Sequence, residues 1–111
     1  MKNKLGKIES IFFGLGGYQD SMIGLHATFI SDGYCVKDSK CAWDSESIKW
    51  SDTCKWSEYD RDKQYAELLR YVSKLLSDSK VNSIDKLKDI PVKLTFEGNT
   101  LKEWRILTEV L

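Results

Sequence analysis

Histidine and proline each occur once in this chain, at His26 and Pro91. A serine or cysteine nucleophile needs a base, commonly histidine, and no spacing ties His26 to any particular nucleophile. The paired carboxylates that acid–base chemistry uses are not set in an apolar frame anywhere. An enzyme is therefore not expected. Charge of one sign is also missing, since 17 basic residues balance 17 acidic ones. Phosphate contacts carry most nucleic-acid affinity, so neutrality argues against such a partner. It argues equally against an acidic mimic of DNA. No apolar run approaches the roughly 18 residues of a membrane helix, and no signal-peptide core follows the basic start, so the expectation is the cytoplasm with no membrane partner. Cysteine is scarce and odd in number, with Cys35, Cys41 and Cys54. That suits reduced thiols better than a disulfide framework, and the spacings lack the tight pairs of a zinc site. No metal and no cofactor are expected.

Repeats, low-complexity tracts and linkers are absent too, and 111 residues suit a single domain covering residues 1–111. Lys7 to Gly14, rich in Ile and Phe, reads as a strand. Ile23, Leu25, Ala27 and Phe29 alternate with Gly24, His26 and Thr28, which is the period of a half-buried second strand. "SDG" at 31–33 is a turn signal, and a third strand over Tyr34 to Lys37 is expected, with residues 38–55 left unassigned. Ser57 and Asp60 form a capping-box-like start, with Trp56 as its hydrophobic staple. The helix then runs from Ser57 to Ser77, its buried stripe being Tyr65, Leu68, Leu69, Val72, Leu75 and Leu76. Tyr71 falls off that stripe as a contact residue. Ser83 caps a short turn through Lys88. Val92, Leu94 and Phe96 then face Trp104, Ile106 and Val110 across a hairpin. Uniting the two apolar faces requires Leu94 to pair with Trp104, which a three-residue loop over Gly98 to Thr100 provides. The fold class expected is α+β, an antiparallel sheet with one long helix on one face, in the order β-β-(β)-α-β-β.

Three glycines, Gly14, Gly16 and Gly17, precede Tyr18, Gln19 and Asp20. Gln19 stands where a dinucleotide fingerprint needs its third glycine, and no Lys-Ser/Thr pair follows as in a phosphate-binding P-loop. The stretch reads first as a connection between strands. It is also the expected contact surface, because Gly16 and Gly17 admit close approach while Tyr18, Gln19 and Asp20 offer an aromatic face and polar groups. Trp43 and Trp50 sit in polar company, are hard to bury by pattern, and complete the expected binding set.

"FGLGGYQDSMIGLHATF" (13–29), "KWSEYDRDKQYAELLRYVSKLLSDSKVNSIDKL" (55–87) and "VKLTFEGNTLKEWRILTEVL" (92–111) together resemble a family of small phage and prophage proteins. The resemblance covers nearly the whole chain, and it implies context: an accessory product made in the bacterial host's cytoplasm. Such products often inhibit or sequester host components, including CRISPR-type defence. The expected function is a non-catalytic inhibitor that binds a host protein. The alternative is a small-ligand binder that sequesters a nucleotide signal, with Lys102 or Arg105 supplying charge. Edge strands of a small sheet allow for a homodimer.

Overall fold

A computed structural model describes residues 2–17, 22–43 and 58–111, with Trp43 and Glu58 described in backbone alone. Strands β1 (Lys2–Gly16), β2 (Met22–Ser31) and β3 (Tyr34–Trp43) are followed by helix α1 (Glu58–Ser79), then β4 (Pro91–Glu97) and β5 (Thr100–Ile106). Short 3-10 turns occupy Ile84–Leu87 and Thr108–Val110. The five strands form one antiparallel sheet in the order β3-β2-β1-β4-β5. The fold class is α+β, as the pattern of the chain predicts. The expected capping box at Ser57 and the staple at Trp56 lie outside the described residues.

The first strand is almost twice the length expected, because its alternation changes phase part-way. Ile8 pairs with Phe29 and Ile11 with Ala27, leaving Glu9 as an extra residue. This bulge puts Ile8, Ile11, Phe13 and Leu15 on one face although 8 and 11 differ by an odd number. Lys2 to Lys7 pair with β4, whereas Lys7 to Gly16 pair with β2. The third strand also outruns its expected end at Lys37, staying in register with β2 up to the Met22–Trp43 pair. Asp32 and Gly33 make the turn between them, both at positive φ, the geometry that best matches strand twist.

In the last hairpin Leu94 does pair with Trp104 and Val92 with Ile106. The loop, however, is two residues long, Gly98 and Asn99, with Glu97 opposite Thr100. A bulge at Lys102 supplies the slip that a third loop residue was expected to give. Val110 leaves the face it was expected to share, since β5 ends at Ile106 and Val110 is exposed in the final 3-10 turn.

The core lies between one face of the sheet and α1 with the 3-10 turn after it. Ile8, Leu25, Phe29, Leu87, Val92 and Leu94 are its fully buried members. Helix α1 turns Leu68, Leu75 and Ser79 inward. Tyr71 packs half-buried against the core while Leu69 is 64% exposed, the reverse of the expected stripe. The inward row follows 68, 71/72, 75 and 79, and Leu69 is rotated about 100° from Leu68. Across the sheet, Trp104 of β5 packs on Phe29 with the rings tilted by 51° and 4.6 Å between centroids. Its Nε1–H donates to Asp38 Oδ2 of β3 at 3.0 Å.

The helix ends in a Schellman arrangement. Val81 N–H donates to Leu76 O and Lys80 N–H to Ser77 O, each at 3.2 Å. Lys80 occupies the left-handed position, φ 59°, which glycine normally fills. Lys80→Gly is expected to raise stability by about 1 kcal/mol, read as a higher urea midpoint at unchanged slope.

Burial, and then the nearby Asp38 carboxylate, push the Tyr71 phenol from its ordinary value of 10 up to about 12. Below pH about 10 the phenol is protonated folded and unfolded alike. Between about 10 and about 12 the unfolded chain releases the proton while the folded one holds it, so stability falls as pH rises. Urea midpoints measured through this window should decline more steeply for the wild type than for Tyr71→Phe.

Candidate functional site

The upper half of β1, from Glu9 to Gly16, is paired with β2 along one edge only. Among the described residues no strand adjoins its other edge, because β4 stops at Pro91 opposite Lys7. Edge strands are usually guarded by charge, and the two outer strands follow that rule. β3 carries Lys37, Asp38 and Lys40, and β5 carries Lys102, Glu103 and Arg105. From Ser10 to Gly16 the free edge carries no charged residue. Its side chains are instead large and apolar, with Phe12 50%, Phe13 43% and Leu15 50% exposed.

The two faces of this half-strand differ. Phe13 and Leu15 lie on the helix side, where Phe13, Ile23, Tyr65, Leu68 and Leu69 line a groove of about 260 Å³. The exposed Leu69 is thus continuous with the strand's apolar surface. Phe12 lies on the far face against the His26 ring, 5.0 Å between centroids.

His26 is buried, not the half-exposed residue its position suggested. Its Nε2 is 3.2 Å from Met22 O, which only accepts, so Nε2–H donates there. Nδ1 then accepts the Ser39 hydroxyl at 2.8 Å. A serine donating to a histidine whose second nitrogen is fixed is a nucleophile–base pattern. Neither residue lines this groove, and both ring nitrogens are occupied within the sheet.

Gly16 closes the β1–β2 ladder opposite Met22. It is buried, and a Cβ there would sit 2.9 Å from His26 Nε2. Gly17 is exposed at φ 70°. The glycine pair therefore has local reasons: one makes room for an imidazole, the other turns the chain. Tyr18, Gln19, Asp20 and Trp50 lie outside the described residues, and Trp43 is placed only as the end of β3 opposite Met22. That pairing puts the backbone of Trp43 at the same end of the sheet as Gly16 and Gly17.

The two cations expected to supply charge to a ligand are engaged with acids. Arg105 makes a two-pronged contact with Glu109 at 2.8 and 2.9 Å, and that fork holds the Glu109 carboxyl down to about 2. Lys102 pairs with Glu97 at 3.1 Å. Cys35 and Cys41 are free thiols. A hydrogen bond to Glu9 raises Cys35, and burial raises Cys41, so both stay protonated and weakly nucleophilic. No group of three metal-binding side chains occurs among the described residues, and Cys54 lies outside them. No helix among them is long and apolar enough to cross a membrane.

Comparison with protein-family models, curated proteins and solved structures gives no match.

Gly16→Ala drives a methyl into the His26 ring. It is expected to cost about 1–2 kcal/mol in a urea titration, the overpacking term exceeding the chain-entropy gain. An unchanged midpoint would mean that the imidazole moves aside freely.

Proposed function

We propose that this chain is a non-catalytic binding protein that docks on another protein through the upper half of β1. In the phage setting that its sequence resembles, the partner is a host protein whose action the docking blocks, a defence effector being the type case. One observation carries the reading: a strand edge with no described neighbour and no charge presents Phe12, Phe13 and Leu15 to solvent. Free N–H and C=O groups on such an edge accept an added strand, and flanking apolar side chains give that addition specificity. Fully burying one side chain of this size contributes about 1.5–3 kcal/mol, so three half-exposed ones supply a compact anchor. The partner expected is one that offers an extended segment or strand edge flanked by apolar pockets.

The test is affinity capture from bacterial lysate with wild type and two variants, followed by titration of the recovered partner. Phe12→Ser/Phe13→Ser removes the anchor, and Ser10→Lys charges the edge without removing packing. Both are expected to weaken the partner at least tenfold while keeping a cooperative melt. A captured protein that binds both variants as tightly as wild type would exclude this surface. Capture of nothing by the wild type would exclude the reading itself.

A further inference from the structure

At the opposite end of the sheet, on the helix side, a cavity of about 490 Å³ lies between the two hairpin turns. Lys2 and Lys4 of β1, Tyr34 and Val36 of β3, and Leu94 and Phe96 of β4 form its walls. Leu94 is fully buried and makes an apolar floor. The Lys4 ammonium stands 5.7 Å from the Tyr34 ring centroid and 5.8 Å from that of Phe96, close enough for both rings to hold the cation over the cavity.

The charge here is one-sided although the whole chain is neutral. Two lysines and no carboxylate line the cavity. Lys7, Lys74 and Lys102 each pair with an acid, whereas Lys2 and Lys4 enter no ion pair among the described residues. Two like charges beside an apolar floor repel one another, and an anion relieves that repulsion while gaining two charge-assisted bonds. The volume falls in the range of small-molecule sites. A bare anion uses the lysines and leaves the aromatic walls wet. A neutral ring does the reverse.

We propose that this cavity binds an aromatic anion of nucleoside-monophosphate size. Its phosphate sits on Lys2 and Lys4, and its planar ring lies against Tyr34 or Phe96. The site is at the far end of the sheet from the free half of β1, so it stands or falls separately from protein docking.

The test is calorimetric titration of the full chain with the four common ribonucleoside monophosphates, with adenosine and inorganic phosphate as separate arms. Amide shifts locate the binding. At least one monophosphate is expected to bind with one-to-one stoichiometry and to shift the amides of Lys4, Tyr34 and Phe96. Adenosine and phosphate alone should each bind at least tenfold more weakly. Lys4→Gln and Lys2→Gln should each weaken binding about tenfold, the effect of losing one charged hydrogen bond. Lys102→Gln, which alters a lysine outside the cavity, should leave it unchanged. Absence of binding by all four at millimolar concentration would overturn the proposal. So would equal binding by adenosine or phosphate, shifts confined to other residues, or indifference to both cavity-lysine substitutions.

Discussion

The hydrogen bond from Trp104 to Asp38 joins the two outer strands of a five-stranded sheet. Four strand spacings in a flat sheet would hold β3 and β5 about 19 Å apart, further than an indole and a carboxylate together can reach. The sheet must therefore curl towards its helix side until its edges converge. Phe29 packed on Trp104 fills the space so enclosed. The helix lies across the open side and meets both outer strands. Tyr71 is drawn into this contact, with the Lys40 ammonium of β3 5.7 Å from its ring centroid and Asp38 near enough to raise its phenol. Curl, core and helix placement are one arrangement seen from three sides.

β1 is the strand that this arrangement leaves uneven. Its lower half, Lys2 to Lys7, pairs with β4, and the two ladders overlap at Lys7, beside Ile8 in the core. Its upper half continues as the edge of a three-stranded extension, with β2 and then β3 on one side only. Fifteen residues at the rise of a strand span roughly 45 Å, close to the 49 Å length of the described residues. Of the large fully buried side chains, only Leu25, opposite Phe13, lies beside the upper half. Substitutions at Phe12, Phe13 and Ser10 thus fall on a part of the sheet whose loss of contacts is local, which is where a protein can carry sticky side chains without endangering its core.

Much of this was legible in the chain. Alternation along β2 identified its inward face, and joining the apolar sets of β4 and β5 gave the Leu94–Trp104 register. What the chain did not show are the devices that adjust phase. The bulges at Glu9 and Lys102 each add one residue where no glycine or proline marks it, and a period count cannot see them. Leu69 and Tyr71 changed places because a stripe of leucines fixes a helix face only to within about one residue's rotation, and the curled sheet decided between them. The candidate site was half visible. The glycine loop drew attention to the end of the sheet where Phe12, Phe13 and Leu15 are exposed, yet the pair Phe12–Phe13 held the stronger signal. Adjacent strand residues point to opposite faces, so in a strand with one solvent face both cannot be buried. Lys2 and Lys4 looked like an ordinary basic start, since only pairing with β4 brings them beside Phe96.

At the lower cavity, too, side chains of strands that are not neighbours converge. Tyr34 belongs to β3 and Phe96 to β4, three strand spacings apart, or about 14 Å in a flat sheet. A single ammonium lies 5.7 Å from one ring and 5.8 Å from the other, so the two centroids are no further apart than the sum of those distances. Both rings must lean inward over Lys4. The bend that brings Phe29 against Trp104 accompanies a walled basin at this end of the sheet. The helix covers the sheet nearer its outer strands, and the two hairpin turns rim the basin that remains. A flat version of this sheet would carry the same six residues as a strip of surface lysines and scattered aromatics, with no enclosed volume for a ligand. Selection for a packed core and selection for a concave, cationic site would act here on a single geometric variable, the convergence of β3 and β5.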